Sequence, residues 1–575
     1  MTGRPHTLMV VLVSGLLLAL AGCTSTPDPD VVVDLLQQDW QHTPGVTDDG
    51  DGLQVAATAR SIVEQDGGGG QPNPPLNLAG THLVAEGDFS LSAAFTDVTA
   101  DASWAVYDSP PVIADEFRIE PAGLRLTLSG DDLEIAVFDG SRQEDVTDPQ
   151  PAHDEHVTLP DPEAALTVHR SGDTLEVASG GDTVSSLPLG GVFESGELWL
   201  GLSSDDGSFR VSSLTATATN GGSLTTAGPA VTQAEQSVDG LQALAALTRP
   251  DFTIGAAVAL GPLASDAQYA RELIANFGAL TPENAMKPQH LSPEQGVYTF
   301  EEADAILEIA ESKGMAVHGH TIAFTEAMPR WMQELPTGSE PERRASADAL
   351  IDYVTTVVTH FKGRLDSLDV VNEPFDADQW TSLRQNIWYR VFGPDYPAVV
   401  SQLVYDADPD VLQFINEYGA DVPGPRQDAL LELALDTNAL GGHIYGVGLQ
   451  AHIYDLERDA ITADDLTETL ALFEDAGLHV RISENDVTDD GGQRAQAEQY
   501  ATVLATCLRS PACVSYTTWG VDDRYDWWID DDGNLQQGHD YLFNDGQPTP
   551  AYHAMRRVLG TWPSGSQGRD DLRGA

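Results

Sequence analysis

Two glutamates carry the most suggestive chemistry in this sequence of 575 residues. Glu373 ends the run Asp369-Val370-Val371-Asn372-Glu373, and Glu484 stands inside Arg481-Ile482-Ser483-Glu484-Asn485-Asp486-Val487. Each follows a short apolar stretch with the character of a buried strand, so each is expected where a strand ends. Two carboxyl groups on opposite walls of a cleft can split a glycosidic bond. One protonates the leaving oxygen while the other meets the developing cationic carbon. An Asn-Glu dipeptide alone means little in a chain of this length; the matching carboxylate behind a second strand gives it force.

The elements that must position this pair form a regular series. Strand-like runs occur at Thr253 to Val258, Ala279 to Thr281, Ala316 to His320, Ser367 to Val371, Leu412 to Asn416, Gly446 to Gln450, Val480 to Ser483 and Val514 to Trp519. Amphipathic segments such as Ala303 to Ser312 and Ala347 to His360 lie between them. Strand then helix, repeated through this stretch, predicts an α/β fold, a (β/α)8 barrel. A doubly wound open sheet is the rival, and it usually opens with a glycine-rich phosphate turn that is absent after the first strand here. In a barrel the active site lies at the C-terminal ends of the strands, and the fourth and seventh strands face each other across the ring.

Those ends are polar in a consistent way: Glu283-Asn284 with Lys287, His318-Gly319-His320-Thr321, Asn372-Glu373, Asn416-Glu417-Tyr418, Gln450-Ala451-His452, Glu484-Asn485-Asp486 and Trp519-Gly520-Val521-Asp522-Asp523. In this order and spacing the region resembles glycoside hydrolase family 10, the endo-β-1,4-xylanase family. The run ending at Glu373 is similar to that family's acid/base motif, and the run around Glu484 to its nucleophile motif.

The resemblance implies a retaining double displacement, with Glu484 attacking the anomeric carbon and Glu373 acting as acid and then base. The two carboxyls would lie about 5–5.5 Å apart, with the Glu373 pKa raised. It further implies that His452 holds the nucleophile, that Asp486 orients His452, and that Asn372 binds the sugar 2-hydroxyl. Glu283, Asn284, Lys287 and Gln450 would hold ring hydroxyls, and Trp519 and Trp527 would offer stacking faces. Alternation within a strand would aim Glu484 and Asp486 the same way, and likewise Gln450 and His452.

Two departures from the family pattern stand out. After the third strand the family usually shows Trp-His, where this chain has Phe324-Thr325 followed by Glu326-Ala327-Met328-Pro329-Arg330-Trp331. Thr325 is expected to face substrate but is too short to reach the same sugar hydroxyl directly, so that a water bridges the gap or a different sugar fills it. This opens the identity of the glycan: xylan, another β-glycan or a decorated oligosaccharide. A non-catalytic glycan-binding surface lipoprotein is the alternative to an enzyme. After the fifth strand, Glu417 stands where the family has aspartate and Gly419 where it has asparagine.

The rest of the chain sets the context. With 28 Lys+Arg against 90 Asp+Glu the formal charge is −62, and the only lysines are Lys287, Lys313 and Lys362. Such a surface cannot neutralise phosphates, so nucleic acid is not an expected partner. Nor does the sequence call for a cofactor or metal; the acidic run Asp530-Asp531-Asp532 reads as a solvated loop. Arg4 and His6 precede an apolar run from Leu8 to Ala21, too short to span a membrane, and then Gly22-Cys23. This looks like a bacterial lipoprotein signal, with residues 1–22 removed and Cys23 lipidated, and implies a cell-surface enzyme tethered to the membrane.

Cys507 and Cys513 read as a local disulfide of an oxidising compartment, with two unpaired thiols as the other possibility. Residues 23–75, polar and glycine-rich, are expected for the most part as a tether, with a short helix or strand at Val31 to Leu36. The short alternating runs of 76–218, broken by turns such as Ser129-Gly130-Asp131-Asp132, predict an antiparallel β-sandwich. It looks like the jelly-roll sandwiches joined to sugar-active enzymes. Trp104, Tyr107 and Trp199 could bind glycan there or fill its core. A linker over 219–240, the barrel over 241–562 and a tail over 563–575 complete the expectation, with a monomer acting on polysaccharide.

Overall fold

The computed structural model describes residues 32–561, apart from 38–40, 43–45, 49–51, 57–78, 108–111, 114–117, 120–121, 139–150, 190–192, 194–196, 205–206, 227–233, 378, 526–539 and 545. Cys23, the signal-like segment, Trp527 and the acidic run at 530–532 lie outside the described residues.

The N-terminal part is an antiparallel β domain. Its main path runs His153–Thr158, Asp132–Phe138, Gly123–Ser129, Ala102–Tyr107, Glu197–Ser203, Ala79–Thr96, Leu166–Ser171, Thr174–Ser179 and Asp182–Pro188. Alternation sorts each strand: Leu83, Ala85, Phe89, Leu91, Ala93 and Phe95 of one long strand all enter the same buried cluster. Every alternating run read from the sequence falls inside one of these strands or inside Ser208–Thr226.

Two expectations about this domain change, and one open alternative is decided. First, the sheet includes Val46–Asp48 and Leu53–Ala56, which belong to the stretch expected as a tether, besides Val32–Asp34, which falls in the short element expected at Val31 to Leu36. These strands are too short to show periodicity. They are held because Leu53 to Ala56 pair with Ser208–Val211 and bury Leu53 and Val55. Second, the strand Ser208–Thr226 runs past 219 into the expected linker, continuing through a register shift between Thr219 and Ser223. The Gly221-Gly222 pair sits in that shift, where it was expected to end the strand. Third, Trp104, Tyr107 and Trp199 are at most 1% exposed, and Tyr107 stacks on Trp199 at 6.0 Å. None presents a face to a glycan.

The C-terminal part is a closed parallel barrel of eight strands, β1 (Thr253–Val258), β2 (Ala279–Pro282), β3 (Ala316–Phe324), β4 (Ser367–Asn372), β5 (Leu412–Glu417), β6 (Ile444–Leu449), β7 (His479–Val487) and β8 (Cys513–Thr518). Neighbours pair in sequence order, and β1 with β8 completes the ring. The helices that cover it start on local signals. Asp266 accepts from the Gln268 and Tyr269 amides ahead of Ala267–Asn276, and Ser339 with Glu342 forms a capping box ahead of Glu340–His360. Gly314, left-handed at φ 65°, ends Glu301–Lys313.

Cys507, near the end of helix Gln493–Arg509, is bonded to Cys513 at the start of β8, with Cα atoms 5.3 Å apart. The disulfide thus clamps the turn that feeds the last strand.

Candidate active site

A cavity of about 830 Å³ opens at the C-terminal ends of the barrel strands. Glu373 and Glu484 both line it, as do Asn372, Gln450, His452, Trp519, Glu283, Asn284 and Lys287. These residues come from five strand ends scattered over much of the barrel sequence.

Glu373 follows β4 directly and takes a left-handed backbone, φ 49°, which costs a residue with a Cβ about 1–2 kcal/mol. Its amide donates to the Asn416 carbonyl at 2.9 Å, which ties the turn to β5. Gln450 Nε2 donates to Oε1 at 3.2 Å, and Arg384 Nη2 to Oε2 at 3.4 Å. Burial pushes the Glu373 carboxyl above its ordinary value, and the nearby charge of Glu484 adds to this; Gln450 and Arg384 oppose it without prevailing.

Glu484 sits inside β7 and is 5% exposed. Asn416 Nδ2 donates to its Oε1 at 2.5 Å, and His452 Nε2 lies 3.1 Å from its Oε2. The other ring nitrogen of His452 is 2.8 Å from Asp486 Oδ1. Burial disfavours a charged imidazole, yet the two carboxylates outweigh it and push His452 up to about 10. As an imidazolium it donates on both sides. For Glu484 burial alone would raise the carboxyl, but the His452 hydrogen bond and the charges of His320 and His452 hold it below its ordinary value. One carboxyl is pushed up and the other down in a single cavity. That is the division of labour an acid and an anionic nucleophile require.

The backbone that sets this geometry differs from simple alternation in one place. Glu484 and Asp486 do share a strand, as expected, and both reach His452. Gln450 and His452 do not: β6 stops at Leu449, and Ala451 turns left-handed at φ 58°. The Ala451 amide donates to Asp421 Oδ1 at 3.0 Å and its carbonyl accepts from Asn485 Nδ2 at 2.6 Å. His452-Ile453 then pairs afresh with Asp486-Val487. The turn is locked from the loop after β5 and from β7 together, so its effect is invisible in local sequence.

Other residues emerge from the structure. Asn416, fully buried at the end of β5, bonds Asn372 Oδ1 at 2.8 Å as well as Glu484, and accepts from Ser483 Oγ at 2.7 Å. It joins β4, β5 and β7 in one network. The apolar strand and its Asn-Glu end marked the position, but no local pattern marked this role. His320 lines the cavity, 2.9 Å through Nδ1 from Asp369 Oδ2 and edge-on to Trp519. On the β2 side Lys287 Nζ donates to Asn284 Oδ1 at 2.6 Å, and Asn284 Nδ2 to Glu283 Oε1 at 3.3 Å.

The two departures also gain a structural meaning. Glu417 holds the buried Arg426 at 2.9 Å, and that guanidinium lies over Tyr418 at 4.0 Å and Trp380 at 4.9 Å. A Cβ at Gly419 would come within 3.2 Å of the Trp380 ring, so the glycine leaves room for this half-exposed indole at the cavity wall. Thr325, expected to face substrate, is not among the lining residues; its hydroxyl accepts from Asn386 Nδ2 at 2.9 Å. A threonine that is too short to span the cavity finds its partner in the neighbouring loop.

Gly448 is the sharpest packing constraint on the network, because a Cβ there would stand 2.1 Å from Asn416 Oδ1. Gly448→Ala is therefore expected to displace the Asn416 side chain and with it the Glu484 carboxylate. Displacements of this kind cost about 10²-fold in rate. Steady-state kinetics beside a thermal melt check this: a variant as active as the native enzyme would show that Asn416 tolerates displacement.

Comparison with known proteins places the barrel among sugar-cleaving enzymes. A family model described as glycosyl hydrolase family 10 matches residues 243–558. Endo-1,4-beta-xylanase B of Thermotoga neapolitana is 33% identical over 291 residues, covering 49% of this chain and 81% of that protein. Endo-1,4-beta-xylanase C of Phanerodontia chrysosporium is 30% identical over 257 residues, covering 44% of this chain and 62% of that protein. Among solved structures, native xylanase 10B from Thermotoga maritima aligns with TM-score 0.50 at 31% identity, over 56% of this chain and 98% of that one. Xylanase 10B from Thermotoga petrophila in complex with xylobiose aligns with TM-score 0.50 at 32% identity, over 56% and 97% of the two chains.

Proposed function

The chain belongs to glycosyl hydrolase family 10, and from that premise we propose that it is a retaining enzyme that cuts inside β-1,4-xylan or a closely related β-glycan. The observation that carries the mechanism is the opposite perturbation of Glu373 and Glu484 at one cavity. Glu484, ionised, attacks the anomeric carbon as the bond to the leaving oxygen breaks, and Glu373 gives that oxygen its proton. The covalent ester neutralises Glu484. Glu373, now an anion, takes a proton from water, whose oxygen attacks the same carbon and releases Glu484.

His452 holds the nucleophile as an anion and Asp486 holds His452 charged. Asn372, which Asn416 orients through its Oδ1, is assigned to the sugar 2-hydroxyl. Glu283, Asn284 and Lys287 are assigned to ring hydroxyls just beyond the cleavage point and Trp519 to stacking; Tyr418 and Trp380 line the same cavity as further aromatic surfaces. The setting of this reading is the cell surface. The apolar run before Cys23 and the Cys507–Cys513 bond, which suits an oxidising compartment, support it.

A second substrate reading, a decorated or non-xylan β-glycan, is favoured by Thr325 bonding to Asn386 in place of a sugar. Incubation with xylan, arabinoxylan and mixed-linkage glucan distinguishes the two. Reducing ends are expected from xylan first, with the β-anomer seen before mutarotation by proton NMR. Initial release of the α-anomer would overturn retention, and preference for a glucan would favour the second reading.

A further inference from the structure

The loop after β3 turns its threonine away from the cavity, and what it brings there is charge. Glu326 forms an ion pair with Arg384 Nη1, and Arg384 also donates from Nε to the Phe375 carbonyl at 2.8 Å and from Nη2 to Glu373 Oε2 at 3.4 Å. The Thr325 to Asn386 hydrogen bond ties the same two loops together one step further along each. The guanidinium is 14% exposed and fixed at three points.

The other charged groups facing Glu373 are already committed. Glu484 from β7 is held by His452, and Glu417 from β5 by Arg426, with burial pushing the Glu417 carboxyl up to about 8. Among the described residues, Tyr418 beyond β5 and Tyr454 beyond β6 also belong to the titratable surroundings. Arg384 and Glu326 are thus the cation and anion whose balance falls on Glu373.

A cation next to a general acid is a physical problem. It favours the ionised carboxylate, the form that cannot protonate a leaving oxygen. A carboxylate on the far side of the guanidinium offsets that field and aims the remaining arm. We propose that Glu326 and Arg384 act as a charge clamp on Glu373: Arg384 positions the carboxyl, and Glu326 cancels enough of the cation's field to leave Glu373 protonated at the start of the cycle. Both are positioning residues, and the inference rests on the reading of Glu373 as acid/base. It gives the loop after β3 a purpose, since the segment that carries Thr325 also carries the anion that acts on the acid.

Because the two charges have opposite signs, the two substitutions must act in opposite directions. In Glu326→Gln the cation is unbalanced, so the basic limb of kcat/KM on xylohexaose moves to lower pH. In Arg384→Gln the anion is left alone, and the limb moves to higher pH. Each shift is expected at about half a unit or more, and the double variant returns toward the native profile. The acidic limb, set by Glu484, stays in place. Titration of carboxyl-13C glutamate by NMR, with the Glu373 signal assigned through Glu373→Gln, reads the same shifts without substrate.

Shifts in the same direction, or shifts below about 0.2 unit in both readouts, would overturn the clamp even with xylan hydrolysis intact. A native enzyme that releases no reducing ends from any β-glycan would instead overturn the functional reading, while the NMR titration still decides the clamp. Glu326 is 60% exposed, so its variant tests the idea should Arg384→Gln fail to fold.

Discussion

Glu484→Ala is expected to lower kcat on xylan by a factor on the order of 10⁵, with the fold retained. The size of the loss follows from chemistry, because among the described residues no other carboxylate bonded to both His452 and Asn416 is left to form the ester. Asp486 is paired through His452 and belongs to the support of Glu484. Retention of the fold follows from the network: His452 keeps Asp486, and Asn416 keeps Asn372 and Ser483. Azide should restore part of the activity by entering the vacated space and attacking the anomeric carbon, while Glu373 still protonates the leaving oxygen. The product is then the α-glycosyl azide, inverted relative to the substrate. A variant within about tenfold of native activity, or a rescued product of β configuration, would contradict the assignment of Glu484.

Glu373→Ala is expected to cut activity on xylan by about 10³-fold, but activity on a dinitrophenyl β-xylobioside far less. A sugar leaving group needs the proton; a dinitrophenolate does not. Loss of the base also slows hydrolysis of the ester, so the aryl substrate should show a burst of phenolate equal to the enzyme present. Azide should now trap the ester and give the β-glycosyl azide.

The pH profile follows with a definite sign. Glu373 must be protonated and its pKa is raised, so native activity is full below that raised value and lost as pH climbs through it. Glu484 must be ionised and its pKa is lowered, so activity persists to pH values under the ordinary carboxylate range. Removing Glu373 should abolish the basic limb for the aryl substrate and leave the acidic one. Equal losses on xylan and on the aryl glycoside would assign Glu373 a role other than proton transfer.

Much of this molecule was legible before folding. The eight barrel strands match the apolar runs to within a few residues at each end; β3 and β7 extend furthest, to Phe324 and Val487. Buried parallel strands are continuous apolar segments, and their ends are where polar residues can reach solvent, so Glu373 and Glu484 were marked by position as well as type. The β domain was legible where its strands alternate over several residues. It was not legible at Val46–Asp48 or Leu53–Ala56, where three or four residues carry no period.

What the sequence determined by itself was the barrel and the candidate carboxyl pair at its strand ends, which depend on periodicity and on residue types and are local properties. The roles proposed for His452 and Asp486 rest on the resemblance of the motifs that contain them. What only the tertiary structure decided was the wiring. Asn416 joins three strands, Ala451 turns left-handed between two neighbours, Thr325 bonds to Asn386, and Arg384 with Glu326 reaches Glu373. A hydrogen bond or ion pair acts over about 3 Å and only at the right angle. Whether two side chains distant in sequence meet those limits is settled by how the strands close into a ring, and no short stretch of the chain contains that information.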